Sequence, residues 1–185
     1  AALQLKKEGF SPKPEIEIPL TLDATEFKMM VDLVHSTAQQ VFAEHNDKVH
    51  YEVGAMIELP AAAIIADELV AADAEFFSFG TNDLTQTTLG VSRDDAGTFL
   101  PDYVKKGIFA ADPFVTVDRK RVGALMKIAI AKARAIDPNF KISVCGEHGG
   151  DPDSVHFFAE IGLTDVSCSP FRVPVARLAA ARAGI

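Results

Sequence analysis

Five short hydrophobic runs alternate along this chain with stretches of helical periodicity, and polar residues cluster where the runs end. They lie at Glu15–Leu20, 49–59, Phe76–Phe79, Lys141–Cys145 and Asp165–Ser169. Strands joined in this way by helices run parallel, with right-handed crossovers. Five such units are too few to close an eight-stranded barrel.

The intervening segments carry their own signals. Asp23 and Glu26 have the spacing of a capping box. Behind them Phe27, Met30, Val31, Val34, Ala38, Val41 and Phe42 recur at helical spacing, and this helix ends near His45-Asn46. Pro60 opens an alanine-rich helix predicted from Ala61 to about Ala72. A further helix is predicted from about Asp118, with Val122, Leu125, Ala129, Ala133 and Ile136 inward. Asp151-Pro152 opens another, closed by Gly162, and Pro174 starts the last. Residues 1–14, polar with two prolines, read as an irregular connector or chain end, leaving 15–185 as the domain. The stretch 90–114 has weak periodicity, and a connection this long is often functional.

With 185 residues, 48% of them hydrophobic, the chain holds one domain with a real core. A formal net charge of −8 argues against nucleic acid as a partner. The same charge requires a metal or local arginines to offset the field around any anionic substrate. No apolar run has the length of a membrane span, and no basic-then-apolar leader is apparent, so neither membrane insertion nor secretion is expected. Two cysteines far apart in sequence, Cys145 and Cys168, point to a reducing compartment.

In a parallel sheet the carboxyl ends of the strands share one face, where barrel active sites sit. Glu58, the run Gly80-Thr81-Asn82-Asp83, the run Cys145-Gly146-Glu147-His148 and Ser169 all fall there. Neighbouring strands lie about 4.8 Å apart, so Glu58 and Asp83 can reach one ion. Two hard carboxylates without His or Cys suit Mg²⁺, or Mn²⁺, with waters and substrate oxygens completing the shell. Asn82 and the backbone near Gly80 and Thr81 can donate to a substrate oxyanion. Helix capping is the other reading of Glu58, Asn82 and Asp83. Cys145 can serve as a proton donor, as a nucleophile if His148 activates it, or as a buried structural cysteine. Cys168 reads as structural, and His35 and His45 read as surface or boundary residues.

Several stretches carry a family resemblance. Gly54-Ala-Met-Ile-Glu-Leu-Pro60, Phe76-Phe-Ser-Phe-Gly-Thr-Asn-Asp-Leu-Thr-Gln86, Ser92-Arg-Asp-Asp95, Cys145-Gly-Glu-His-Gly-Gly150 and Ser167-Cys-Ser-Pro-Phe-Arg-Val-Pro174 resemble the pyruvate, phosphate dikinase family, from about Glu15 onward. The resemblance implies an α/β chain forming the C-terminal part, about five β/α units, of a phosphoenolpyruvate-utilising (β/α)₈ TIM barrel. It implies Mg²⁺ ligated by Glu58 and Asp83, with Mn²⁺ as a substitute. Gly80, Thr81 and Asn82 would contact phosphoenolpyruvate or pyruvate, and Cys145 would be the proton donor to enolpyruvate. It further implies a phosphotransferase with paired acceptors, working with phosphohistidine and nucleotide-binding domains, in a homodimer, in the cytoplasm or in an organelle such as a plastid or glycosome. Ala61 and Ala55 depart from the family's usual arginine and threonine, and the family's Gly-Gly-Met-Thr-Ser-His stretch and early barrel strands do not occur here. This chain alone is therefore expected to be inactive and to self-associate through its open edges. Phosphoenolpyruvate synthase, enzyme I of the sugar phosphotransferase system, a metal-dependent carbon–carbon lyase and a non-catalytic remnant are the rival readings.

Overall fold

The computed structural model describes residues 1–184, so position 185 of the expected domain lies outside the described residues. The chain runs α1 (Ala2–Lys7), β1 (Glu15–Ile18), α2 (Ala24–His45), β2 (Glu52–Ile57), α3 (Pro60–Ile64), α4 (Ala66–Ala71), β3 (Phe76–Gly80), α5 (Thr81–Leu89), α6 (Arg93–Ala96) and α7 (Leu100–Lys105). It continues through α8 (Val122–Ile136), β4 (Lys141–Cys145), α9 (Pro152–Glu160), β5 (Asp165–Val166) and α10 (Val173–Ala183). All four strand pairings are parallel, in the order β1-β2-β3-β4-β5.

That order never reverses, which separates this sheet from doubly wound folds. A singly wound sheet carries its helices on one face and curves as an arc of a β/α barrel. Alternation along the strands sorts the residues accordingly. Val53, Ala55 and Ile57 of β2, Phe77 and Phe79 of β3, and Ile142 and Val144 of β4 share one core with Ala62, Ala66, Leu69, Met126, Ala129, Ala133 and Phe158 from the helices. Phe77 and Phe79 are fully buried, and burying a side chain of that size stabilises by about 1.5–3 kcal/mol. The opposite face carries Glu17, Gly54, Met56, Phe76, Ser78, Gly80, Lys141, Ser143 and Cys145, a set far more polar than the helix side.

Several expectations need correction. Ala2–Lys7 is helical, and Lys6 reaches back to Asp47 and to the Lys48 carbonyl, so these residues dock on the end of α2. Asp23 caps α2 through Thr25 N–H at 2.7 Å, but Glu26 closes on the N–H of Leu22 instead of Asp23. Of the predicted α2 stripe Phe27 and Val31 are buried, while Met30 and Val41 are exposed. The predicted 61–72 helix is two short helices joined at Ile65. In α8 the predicted Val122, Ala129 and Ala133 are buried, Met126 and Ile130 join them, and only Ile136 of the predicted stripe, 52% exposed, faces out. The 90–114 stretch contains α6 and α7 around a small cluster of Ala96, Leu100 and Phe114.

Gly149 shows how tightly the loop after β4 meets β5. A Cβ there would lie 2.1 Å from the Ser167 carbonyl oxygen. Backbone cannot yield as a flexible side-chain end would, so Gly149→Ala should cost about 3 kcal/mol, the upper end of what overpacking typically costs. A urea titration checks this, and an unchanged midpoint would show that the loop has room.

Candidate active site

The sequence of α5 places it where β3 ends. Phe76–Phe79 fills the strand, Gly80 makes the turn with φ −76° and ψ 76°, and Thr81 begins the helix. Gly80 has to be glycine, since a Cβ would lie 2.8 Å from Glu58 Oε2 and 2.9 Å from Met56 Sδ. Gly90 ends the helix in the left-handed region, φ 64°. Three bonds fasten α5 to both neighbouring strand ends. Thr87 Oγ1 donates to the Glu58 carbonyl at 3.0 Å, Thr81 Oγ1 donates to the Cys145 carbonyl at 3.1 Å, and Glu147 N–H donates to Asn82 Oδ1 at 3.1 Å.

Register then collects the predicted residues. Ile57 pairs with Phe79 and Gly80 with Cys145, so Glu58, Gly80 and Cys145 stand side by side on the helix-free face. Glu58 is 4% exposed, and its Oε1 accepts the Leu20 N–H at 2.6 Å. Burial pushes its carboxyl above the usual range; the Leu20 N–H pulls it down, and the Asp83 carboxylate beside it pushes it up again. Asp83 Oδ1 accepts from Gln86 Nε2 at 2.9 Å. Two neighbouring acids, one buried and resisting ionisation, form a donor set that a divalent cation would relieve. Among the described residues no cluster of three or more His, Cys, Asp or Glu side chains is assembled for a metal. A two-carboxylate set fits Mg²⁺, which normally draws the rest of its shell from water and substrate oxygens.

Asn82 Oδ1 is taken by Glu147 N–H, which turns the amide so that its Nδ2 is the group free to donate. The first backbone N–H groups of α5 lie at the same place, where a helix start favours an anion. Gly146 has φ +111°, and a Cβ on it would lie 2.9 Å from Thr81 Oγ1 and 3.1 Å from Asn82 Oδ1.

Cys145 is half-buried. Burial pushes its thiol up, the Ser78 hydroxyl pulls it down, and Glu17, Glu58 and Asp83 push it up. A thiol so placed keeps its proton near neutral pH, which suits an acid and works against a nucleophile. His148 does not activate it. His148 is fully buried, with Nδ1 2.8 Å from Thr81 Oγ1 and Nε2 2.8 Å from the Pro113 carbonyl. Burial lowers its pKa; the neutral ring keeps its proton on Nε2 toward the Pro113 carbonyl, and the Thr81 hydroxyl is shared between Nδ1 and the Cys145 carbonyl. Its two contacts join the α5 start to the 91–121 segment, a role the sequence reading missed. The Glu147-His148-Gly149-Gly150 loop gave no spacing signal that Pro113 would be the partner.

Glu17 was missed as well. Its pKa is raised, first by burial, with the Ser78 hydroxyl opposing and Glu58 adding, and its Oε1 has no hydrogen-bond partner. Ser78 therefore neighbours both the Glu17 carboxyl and the Cys145 thiol. The Glu-Ile-Glu alternation of β1 was the available signal, since it puts Glu17 on the helix-free face.

A strand-end site on an arc of a β/α barrel defines a class of barrel enzymes. The chain matches, over residues 1–185, the family described as "PEP-utilising enzyme, PEP-binding domain", and it belongs to that family. It is similar to pyruvate, phosphate dikinase 1, chloroplastic, of Arabidopsis thaliana, 57% identical over 182 residues, 98% of this chain and 19% of that protein. It is similar also to pyruvate, phosphate dikinase of Giardia intestinalis, 55% identical over 185 residues, 100% of this chain and 21% of that protein. Pyruvate, phosphate dikinase 2 of Oryza sativa subsp. japonica is 53% identical over 182 residues, 98% of this chain and 20% of that protein. The chain thus spans about one fifth of the length of the curated relatives it matches. Among the described residues no helix is long and apolar enough to cross a membrane.

Proposed function

We propose that this domain binds phosphoenolpyruvate and pyruvate for a pyruvate, phosphate dikinase, which converts ATP, pyruvate and phosphate to AMP, phosphoenolpyruvate and diphosphate. The observation that carries this reading is the adjacency of Glu58, Asp83, Asn82 and Cys145 at one set of strand ends. Glu58 and Asp83 would hold Mg²⁺, for which Mn²⁺ can substitute. When bound, the ion supplies Lewis-acid stabilisation of the negative charge on an enolate.

The chain's own groups do the rest. The Asn82 amide and the N–H groups at Gly80 and Thr81 orient the substrate's anionic oxygens. In the direction of pyruvate formation, the phosphoryl group leaves the enol oxygen for a histidine on another domain. The Cys145 S–H then gives its proton to C3 of the enolate, forming the methyl group. The resulting thiolate recovers a proton by way of the Ser78 hydroxyl and the Glu17 carboxyl, whose raised affinity for a proton suits a reservoir. The phosphohistidine and nucleotide-binding domains are the partners this chemistry requires, and the open sheet edges at β1 and β5 are where further barrel strands or a second subunit attach.

Phosphoenolpyruvate synthase and enzyme I are the competing readings, and phosphoryl acceptors separate them. The full-length protein should release pyruvate from phosphoenolpyruvate only when AMP and diphosphate are both supplied. Release with a small phosphocarrier protein as acceptor, or with AMP and phosphate in place of diphosphate, would overturn the dikinase assignment.

A further inference from the structure

Gln86 donates to the Asp83 carboxylate and reaches away from the site. It lies one turn along α5, with its Nε2 2.9 Å from Asp83 Oδ1 and its Oε1 2.7 Å from the backbone N–H of Arg93. The Arg93 N–H can only donate, so it fixes the amide with oxygen toward Arg93 and nitrogen toward Asp83. One oxygen of the Asp83 carboxylate is thereby held, and Oδ2 is left over. Glu58 is built alike, with Oε1 held by the Leu20 N–H and Oε2 beside Gly80. Each carboxylate thus has one oxygen fastened by a neutral donor and one available.

The contacts continue past Gln86. The Arg93 guanidinium lies 3.9 Å from the Glu147 carboxylate, and Glu147 N–H donates to Asn82 Oδ1. Asn82 is covalently next to Asp83, so the path closes as a ring. Its strongest links are the two short bonds of the Gln86 amide; the ion pair at 3.9 Å is exposed and contributes little.

We propose that Gln86 is a positioning residue, which sets the rotamer of the Asp83 carboxylate for a divalent cation under the orders of the Arg93 backbone N–H. The inference rests on the reading of Glu58 and Asp83 as the cation's ligands. Partners that orient metal ligands from outside are worth about 10- to 100-fold in metal affinity.

The test is Mn²⁺ affinity of the full-length enzyme, without nucleotide, measured by water-proton relaxation. Gln86→Met has similar length and removes both amide bonds; it should weaken Mn²⁺ about 10-fold. Arg93→Pro removes the N–H that orients the amide, at a first helical position that tolerates proline, and should weaken Mn²⁺ in the same direction. Arg93→Ala keeps that N–H while deleting the ion pair with Glu147, and should leave the affinity unchanged. Asp83→Asn, measured alongside, separates the two layers. If Asp83→Asn loses affinity while Gln86→Met and Arg93→Pro match wild type, Gln86 has no positioning role. If Asp83→Asn itself binds Mn²⁺ normally, the ligand assignment fails and this inference falls with it.

Discussion

Glu58→Gln and Asp83→Asn should each cut turnover of the full-length enzyme on the order of 10³-fold or more. Losing a ligand removes much of the several kcal/mol that a Lewis-acid ion contributes to a developing anion. Both substitutions keep the shape and the accepting oxygen, so the Leu20 N–H and the Gln86 amide keep their partners. Glu58→Gln also removes a buried acid whose ionisation the fold resists. Unfolding midpoints of the metal-free variants should therefore match wild type or rise slightly. Steady-state assays beside urea titrations check this. A large loss of stability would mark these carboxylates as structural caps, the reading their positions before α3 and in the first turn of α5 first allow.

Cys145→Ser should stop exchange of the pyruvate methyl protons with solvent, a loss of about 10²- to 10⁴-fold, the range general acid catalysis spans. A serine hydroxyl is too weak an acid to give up its proton here, although it occupies nearly the same place. Phosphorylation of the histidine from ATP uses other domains and should persist. The thiol is half-buried and a hydroxyl is nearly its size, so the melting temperature should move little. Isotope exchange followed by proton NMR reads the result. Exchange at the wild-type rate would require another acid, and Glu17 would be the first to test.

Much of the frame was legible because periodicity reports burial directly. Five parallel strands, the strand ends as the polar face, and the Gly80–Asp83 turn all followed from the run Phe76–Phe79 ending at glycine and from its counterparts. The failures share a physical cause. Met30 and Val41 look inward by spacing, yet both are exposed, and Val41 lines an apolar groove of about 800 Å³ between α1, α2 and β1. Periodicity says which face is apolar and does not say whether anything lies against it. The adjacency of the candidate residues Glu58, Asp83 and Cys145 was legible because neighbouring strand ends carry them. The candidate site was illegible where a side chain acts at long sequence separation. His148 meets Pro113 from 35 positions away, and the Glu17–Ser78–Cys145 set spans three strands. Gln86 closes the Phe76–Gln86 motif, but only the position of the Arg93 N–H gives its amide a direction.

Titration of the wild-type enzyme, Glu58→Gln and Asp83→Asn with Mn²⁺, followed by water-proton relaxation, tests the two-carboxylate site most directly. The wild type should bind one Mn²⁺ at this site, and each variant should bind it at least about 10-fold more weakly. Equal affinity in all three proteins would contradict the assignment of Glu58 and Asp83 as the cation's ligands.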